Sequence, residues 1–560
     1  MAFIRVQNKV LGDGGRIVSG SAQVVESYYD PKAGNRNRQR VLMRLGRPIS
    51  LDAGGRSGVF LSEEWGLFRF DVASMARSDV PESDPAWGLV GGAAKPRVST
   101  VFGDAYLLSS FLEDSGLIGC LREAFPAESD LKRAVAHLLH GLLSDGSRIS
   151  LDDFLAKSFA SAFLALPSFL GSDSAFMKRL GSEEAKEAFF RAFVGSMRGR
   201  DPSFGRCCYV DSTPVPNEIS ELLVNGFSSH GLSGVMSGVR VAMVLDGPSG
   251  FPVWYDVIPG NAVDVSTLRS LSERAESVLG VEIEDYALDA GYVSEGLVER
   301  MRGDGAKMVT ARMPFREGYP YKAVYEAVRG RLSKGDDFFV REGHKMFGRR
   351  VAIELFGGRA DAYAYVDFDN ADIAYKRRYS EDPKGYDALP SAGKSWELVR
   401  GGFFVLLSNK GLGAKKTLDD YFERTGIEAY FKAGKGPGSL LPLCKKTDEA
   451  ARGKILSSTI ATIAVTMVRK KLAESGQAVS PSRVYGKCQS LMCRLSKDGK
   501  KALVEYPTKQ AKAAFKVMGY EVPGEVRIAE FSDLILKGSK AGGAPRKGKR
   551  GRKPKLPRLV

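Results

Sequence analysis

The order of apolar and amphipathic runs between residues 205 and 313 constrains the fold of this chain more than any other feature. Short apolar runs predict strands, and runs with apolar residues at three- and four-residue steps predict helices. The order is strand, strand, strand, helix, strand, helix, strand, over residues 207–211, 239–246, 251–260, 266–280, 283–291, 294–305 and 306–313. This pattern predicts an open α/β sheet, in which chemistry gathers beyond the strand ends.

Three strands followed by alternating helix and strand are typical of an α/β ribonuclease H-like core. A later apolar run, GGFFVLLSN (401–409), is predicted to return to the same sheet, so the catalytic domain is expected over 205–313 plus 402–475. Residues 314–401 break the pattern with strand-like runs rich in Tyr, Phe and Gly. They predict a mostly β insertion domain.

The segments outside this core have weaker patterns. Residues 1–100 predict a β-rich N-terminal segment and linker, with a hairpin whose tip is basic. Residues 101–204 predict several helices, either a DNA-binding bundle or a plain packing domain, because no recognition helix stands out. Residues 476–536 predict a small C-terminal α/β element, and residues 537–560 a disordered basic tail.

The charge of the chain favours a polyanionic partner. The formal net charge is +16, and the tail from residue 537 onwards holds ten Lys and Arg residues and no acid. The tail is therefore the stronger evidence for a nucleic acid. The best apolar stretch, residues 455–468, is shorter than the ~20 residues that a membrane span needs. We expect a buried helix there, no membrane partner, and a cytoplasmic, nucleoid-associated protein.

Two acidic residues end predicted central strands. Asp211 follows the run CCYV, and Asp289 follows YAL and precedes the small residues Ala290 and Gly291. Both carboxylates should reach the same edge of the sheet, although Asp at a strand end is also a common turn former. Asp246 precedes Gly and Pro, so a turn role is predicted for it.

A third acid lies in a predicted helix that opens near Thr417 as its N-cap. Tyr421, Arg424, Glu428 and Lys435 are spaced by three, four and seven residues, which places them along one stripe of a helix. The alternative interpretation is a solvated face with an ordinary Arg–Glu pair.

The spacing Tyr421, Arg424, Glu428, Lys435 resembles the signature of the insertion sequence four superfamily of DDE transposases. Two other blocks also resemble this family: Pro259-Gly260-Asn261 with Asp264, and LDAGYVSEGLVERM around Asp289. The segment VVESYYD…RQRVLMRLG resembles the N-terminus of a subgroup. The resemblance covers roughly residues 20–45 and 205–475, and it departs at Ala290, where many members carry Arg.

The resemblance implies a transposase that cuts the 3′ strands at element ends and joins them to target DNA. Asp211, Asp289 and Glu428 would hold two Mg²⁺ (or Mn²⁺) ions for phosphoryl transfer. Tyr421, Arg424 and Lys435 would contact DNA near the scissile phosphate. The expected partners are terminal inverted repeats, target DNA and further copies of the chain, as a dimer or higher form.

The tail adds a candidate DNA contact of its own. Arg550, Arg552 and Lys553 resemble a minor-groove hook, and non-specific phosphate contact is the alternative. Two other functions remain open: a hydrolytic metal-dependent nuclease of the same fold, and a decayed transposase that only binds DNA. For Trp396, a core position is favoured over stacking on an unpaired base.

Overall fold

The computed structural model describes residues 2–538, apart from 12–16, 31–35, 53, 63–64, 82–83, 87–98, 145–149, 167–173, 218–224, 232–233, 262–263, 304–306, 334, 424, 437–439, 442, 478 and 497–498. The chain forms two compact units. The first comprises Met1–Ser115, Glu128–Asp173 and Lys471–Val560, and the second comprises Gly116–Ala127 and Ser174–Lys470. None of the described helices is long and apolar enough to cross a membrane.

The first unit begins with a six-stranded antiparallel meander in chain order. Its strands are β1 (Ala2–Leu11), β2 (Ile17–Asp30), β3 (Arg36–Leu51), β4 (Ser57–Ser62), β5 (Gly66–Asp71) and β6 (Ala76–Asp79). One apolar core fixes the register of the sheet, because a slip by one residue would turn these side chains to the solvent. It contains Ile4, Ala22, Val24, Leu45, Phe60, Phe68, Phe70 and Val72.

The rest of the first unit joins its helices to the C-terminal element. The helices are α1 (Gly103–Asp114), α3 (Glu128–Leu143), α4 (Leu151–Lys157), α5 (Ala160–Leu164), α17 (Pro481–Cys488), α18 (Lys509–Met518) and α19 (Ile528–Lys537). The strands β18 (Met492–Leu495), β19 (Lys501–Val504) and β20 (Glu525–Arg527) form one sheet with β7 (Thr100–Val101). Tyr106 stacks on Phe531 with the ring centroids 4.8 Å apart, so the C-terminal element completes the core around α1.

Three helices of the predicted helical region belong to the second unit. They are α2 (Leu117–Ala124), α6 (Ser174–Leu180) and α7 (Glu183–Arg198). Residues 101–204 therefore divide between the units instead of forming one bundle. The cause is the apolar face of α7, where Phe190 packs edge-on against Trp254 of the large sheet at 5.6 Å.

The large sheet of the second unit begins with an antiparallel group, β8 (Cys207–Pro216), β9 (Gly226–Gly231), β10 (Gly234–Asp246) and β11 (Pro252–Pro259). After α8 (Asp264–Leu279), β12 (Asp285–Leu288) pairs parallel to β8. After α9 (Glu295–Arg302), β13 (Met308–Arg312) pairs parallel to β12. The order of the central strands is β11, β10, β8, β12, β13.

The segment after β13 extends the same sheet. The added strands are β14 (Phe338–Arg341), β15 (His344–Leu355), β16 (Gly358–Asp367) and β17 (Phe403–Ser408), and β17 pairs antiparallel with β13. This segment also contains the helices α10 (Tyr321–Arg329), α11 (Phe368–Glu381), α12 (Pro383–Asp387) and α13 (Ser391–Val399). The prediction of a mostly β insertion is therefore wrong for its second half. Asp367 stops β16 and starts α11, because its carboxylate caps the Asn370 N–H at 2.9 Å.

The helix expected to open at Thr417 is two helices, α14 (Ala414–Phe422) and α15 (Thr425–Lys435). The predicted N-cap is wrong, because Gly413 holds that position and Thr417 is buried inside α14. Thr425 and Gly426 both have low helix propensity, which accounts for the break between the helices. The last helix of the unit, α16 (Asp448–Glu474), lies where the sequence predicts a long buried helix.

Candidate active site

Asp211 lies on the central strand β8, between the antiparallel β10 and the parallel β12. It stands opposite Met243 of β10. Its half-buried side chain comes directly after the buried residues 208–210. The Ser212 N–H donates to its Oδ1 at 2.8 Å. The strand therefore holds one carboxylate at a fixed point on the face that also carries Tyr209 and Thr213.

Asp289 follows β12 immediately and is also half-buried. The last parallel pair of the two strands joins Leu288 to Val210, so Asp289 comes level with Asp211 on the neighbouring strand. Neighbouring strands lie about 4.8 Å apart, and residues opposite each other point to the same face. The fold thus brings together the two acids that the sequence singled out separately.

Glu428 is exposed in the first turn of α15, a helix that packs beside β8. The helix is anchored by its buried residues Ile427 and Ala433, and by Tyr430, whose hydroxyl donates to the Thr459 carbonyl at 3.3 Å. Glu428 directly follows the buried Ile427, and its own side chain is exposed.

A second link joins this helical region to the Asp211 strand. The Tyr209 hydroxyl donates to Glu423 Oε2 at 3.3 Å, and Tyr209 is on the same strand face as Asp211. Burial raises the pKa of Tyr209 far above its ordinary value, and the Glu423 carboxylate adds to the shift. Tyr209 therefore stays protonated and keeps donating.

Of the other residues of the predicted stripe, Lys435 shares α15 with Glu428 and Tyr421 does not. Tyr421 is on α14, buried among Met346, Tyr365 and Leu418. Lys435 ends α15, and burial lowers the pKa of its amine. Arg424 lies outside the described residues, and so do Arg550, Arg552 and Lys553 of the tail.

Tyr421 also lines a cavity of about 640 Å³ beside the extended part of the sheet. Two arginines of its lining lie over aromatic rings. The Arg341 guanidinium carbon is 4.4 Å from the centroid of Phe422, and that of Arg312 is 5.4 Å from the centroid of Phe404. Neither arginine stands out in the sequence, because both positions depend on long-range packing.

The described residues contain one group of three side chains whose ligand atoms come close enough to hold a metal ion. It consists of His344, Asp367 and Asp369, with these atoms within 4.8 Å of one another. Asp367 also accepts from His344 Nδ1 at 2.9 Å, and Asp369 accepts from the Lys345 N–H at 2.7 Å. The carboxylates of Asp211, Asp289 and Glu428 do not all lie within 4.8 Å of one another.

The remaining candidate acids have structural roles. The Asp246 carboxylate accepts from the Gly205 and Ser249 N–H groups at 2.8 and 2.9 Å, which confirms its predicted turn role. Asp256 pairs with Lys186 at 3.0 Å and with Arg274 at 3.2 Å. These contacts account for both carboxylates, so neither acid is assigned to a metal site.

Trp396 lies in a cluster of aromatic rings and is partly buried. Its ring centroid is 4.7 Å from that of Tyr325 and 5.4 Å from that of Phe403. This packing agrees with the core position that the sequence favours for it.

The Pro259-Gly260-Asn261 turn is set by a close approach of three backbones. A Cβ atom on Gly260 would come within 2.4 Å of the Gly226 carbonyl oxygen and 2.5 Å of that of Gly238. Only glycine fits there. Packing against β9 and β10 therefore explains why glycine stands in this block of the resemblance.

The comparisons with known proteins bear on the same stretch of chain. Residues 202–463 match the family model described as a transposase DDE domain. No curated protein sequence matches the chain. Among solved structures, the chain is similar to that of a piggyBac transposase in a synaptic complex with hairpin DNA, with 10% sequence identity and a TM-score of 0.33. That match covers 69% of this chain and 79% of the other.

Proposed function

Because this chain is a DDE transposase, and such domains are metal-dependent, we propose that it is the transposase of an insertion sequence and that Asp211, Asp289 and Glu428 are its catalytic acids. One observation carries this proposal: β8 and β12 pair in parallel with Leu288 opposite Val210, so the residues that follow, Asp289 and Asp211, are neighbours on adjacent strands. Both acids and Glu428 lie within the matched stretch of residues 202–463.

The sheet order supports a ribonuclease H-like catalytic core. An antiparallel group of strands is followed by two strands parallel to the first, in the order β11, β10, β8, β12, β13. The helices α8 and α9 provide the two parallel connections. In such a sheet the first strand lies at the centre, which is where Asp211 is.

The donor atoms suit a hard divalent cation. Asp211 and Asp289 offer carboxylate oxygens, which are the ligands that Mg²⁺ prefers, and both side chains are only half-buried. Two Mg²⁺ ions, when bound, would supply activation of the attacking oxygen and stabilisation of the leaving 3′-oxygen. Asp211, on the central strand, would be shared between the ions, and Asp289 and Glu428 would each complete one.

Glu428 has to approach the other two carboxylates for this role. Its helix packs against β8, and the Tyr209–Glu423 hydrogen bond ties the preceding turn to the same strand. The exposure of Glu428 leaves its side chain able to turn toward the pair of aspartates. We therefore expect cation and DNA binding to draw Glu428 in.

The chain binds DNA as a transposase, and we propose that its substrates are the terminal inverted repeats of its element and a target duplex. Lys435, on the same helix as Glu428, is proposed to contact the cleaved strand together with Arg424, whereas the buried Tyr421 could be reached only through the cavity that it lines. The basic tail, with Arg550, Arg552 and Lys553, is proposed to add phosphate contacts. A dimer or higher form would hold two ends together.

A cleavage assay tests the acid assignment. Duplexes carrying the element ends are incubated with Mg²⁺ and the wild-type chain, or with Asp211→Asn, Asp289→Asn or Glu428→Gln. Each substitution should abolish 3′-strand cleavage while end binding persists. Asp372→Asn serves as the control, because this acid is exposed on α11 and pairs only locally with Lys376. Undiminished cleavage by Glu428→Gln would refute its role.

A second assay separates transposition from simple hydrolysis. Precut ends with free 3′-hydroxyl groups are offered together with a target plasmid. Joined products support transposition, whereas cleavage without joining would indicate a hydrolytic nuclease of the same fold. DNA binding without either product would indicate a decayed transposase.

A further inference from the structure

Helix α18 of the C-terminal element presents only positive charge to the solvent. Its sequence, KQAKAAFKVM, contains three lysines and no acid, and all three lysines are exposed. Lys509, Lys512 and Lys516 are spaced by three and four residues, which places them along one stripe of the helix. The buried residues of the helix are Ala511, Ala514, Phe515 and Met518. We call the three exposed lysines the lysine face.

The lysine face lacks the acids that neutralise lysines on other helices of the chain. Those lysines pair with an acid four residues away, at 2.7 or 2.8 Å, in Lys376–Asp372, Lys415–Asp419, Lys416–Asp420 and Lys537–Asp533. Among the described residues, no acid pairs with a member of the lysine face. Glu505 is the nearest acid in the sequence, and its carboxylate accepts from the Met492 N–H at 2.8 Å instead.

Like charges three and four residues apart destabilise a helix, because their side chains are neighbours on its surface. The lysine face contains one pair of each spacing, Lys509 with Lys512 and Lys512 with Lys516. An acid at one of these positions would keep the helix equally soluble and make it more stable. The arrangement therefore favours a polyanion that binds the face and neutralises it.

The charge of the surrounding sequence points to the same kind of partner. Residues 481–520 contain nine Lys and Arg residues and two acids, a net charge of +7. The tail from residue 537 onwards carries +10, so all other residues together carry −1 of the total of +16. Outside the tail, the excess positive charge of the chain is thus concentrated in the segment that contains α18.

The start of α18 adds further donors for an anion. Thr508 is its N-cap, and the Thr508 hydroxyl accepts from the Ala511 N–H at 3.1 Å. The first N–H groups of a helix have no acceptor within the helix, and its positive end attracts phosphate. Tyr506, two residues before the cap, is 92% exposed. Lysine and tyrosine side chains and helix N-termini are all groups that contact DNA phosphates.

We propose that the lysine face and the start of α18 bind the phosphate backbone of duplex DNA without reading its sequence. The helix rises by about 10 Å from Lys509 to Lys516, at 1.5 Å per residue. A duplex carries one negative charge per ~1.7 Å of its axis, so the face spans several phosphates. Phosphate contacts position a protein on DNA but carry no sequence information. The proposal rests on the proposed function, which supplies duplex DNA as the partner.

The test measures DNA binding by a full-length variant with Lys509→Ala, Lys512→Ala and Lys516→Ala. Alanine has a higher helix propensity than lysine, so α18 should persist. Fluorescence anisotropy over a series of salt concentrations compares a duplex carrying an element end with a scrambled duplex of equal length and composition. The variant should bind roughly tenfold or more weakly at about 0.1 M salt, and its salt slope should fall by about 3. The loss should be the same for both duplexes.

Two controls isolate the charge of the lysine face. Replacing the same three lysines with Arg keeps the charge and should give binding like that of the wild type. The second control removes three cations of the same C-terminal element that already pair with acids, by Lys501→Ala, Arg527→Ala and Lys537→Ala. It lowers the net charge equally and should leave the affinity and the salt slope unchanged. Circular dichroism of each variant verifies the fold.

The outcomes separate this proposal from the catalytic one. Equal affinity and salt slope for the alanine variant and the wild type would overturn the assignment of the lysine face, even if Asp211→Asn abolishes cleavage. Equal weakening by either control, or weakening on the element-end duplex alone, would also overturn it. If the alanine variant weakens binding to both duplexes but the wild type neither cleaves nor joins DNA, the lysine face stands and the proposed function falls.

Discussion

The paired aspartates predict that removing one charge stabilises the metal-free protein. Asp211 and Asp289 come level on neighbouring parallel strands, which lie about 4.8 Å apart. Two negative charges at this distance repel each other by about 3 kcal/mol at an effective dielectric constant near 20. Because both groups are half-exposed, screening reduces this to about 1–2 kcal/mol. Asp211→Asn should remove the repulsion, and its amide oxygen can still accept from the Ser212 N–H.

The assay is calorimetric unfolding with a chelator present and then with Mg²⁺. Without metal, Asp211→Asn should raise the unfolding midpoint by roughly 2–8 °C over the wild type. With Mg²⁺, the wild type should gain stability through linkage to ion binding, and the variant should gain little. The difference in unfolding midpoint between the variant and the wild type should therefore narrow or reverse when Mg²⁺ is added.

A matched control lies at the first residue of β12, the strand that Asp289 follows. Asp285 forms an ion pair with the buried Lys410 amine. Asp285→Asn should therefore destabilise the protein by about 1–3 kcal/mol in both conditions, because it leaves a buried ammonium with only the more distant Asp420, at 3.8 Å. If Asp211→Asn also lowers the midpoint in chelator, the two aspartates do not repel each other and the reasoning fails.

Three further predictions concern other parts of the chain. Lys186→Met should cost about 3 kcal/mol in denaturant unfolding, since it leaves the Asp256 carboxylate with Arg274 alone; an unchanged midpoint would contradict this. Burial raises the pKa of Asp104 to about 6, so the first unit should lose about 3 kcal/mol of stability as the pH rises from about 4 to 6. Asp104→Asn should flatten that dependence, and a wild type with constant stability over this range would refute it. Tyr209→Phe should weaken Mg²⁺-dependent cleavage more than duplex binding, because it loses the bond to Glu423; equal losses in both assays would argue against a positioning role.

The sequence predicts β8 and β12 well because their signal is local. β12 ends beside Asp289, and the buried residues 208–210 of β8 come directly before Asp211; burial of a central strand on both faces requires such runs. The prediction that β8 ends at Asp211 is wrong, because pairing with β10 continues the strand to Pro216. The parallel pairing then follows from the intervening helix. The amino-acid sequence alone is therefore enough to predict that Asp211 and Asp289 lie side by side.

Other features depend on contacts that no local pattern contains. The stripe from Tyr421 to Lys435 suits a continuous helix, but Thr425 and Gly426 weaken it there, and Tyr421 is buried against Tyr365 instead. The helices after Asp367 escape prediction because a strongly β-like run precedes them, and one capping carboxylate changes the conformation. His344 and Asp367 meet through the pairing of β15 with β16.

The location of bound metal ions tests the central claim most directly. Crystals of the chain with an element-end duplex and Mn²⁺ would show the ions by anomalous scattering. The acid assignment predicts Mn²⁺ peaks bridged by the Asp211 carboxylate, with Asp289 and Glu428 as further ligands. Peaks only at His344, Asp367 and Asp369, with none beside Asp211, would contradict it.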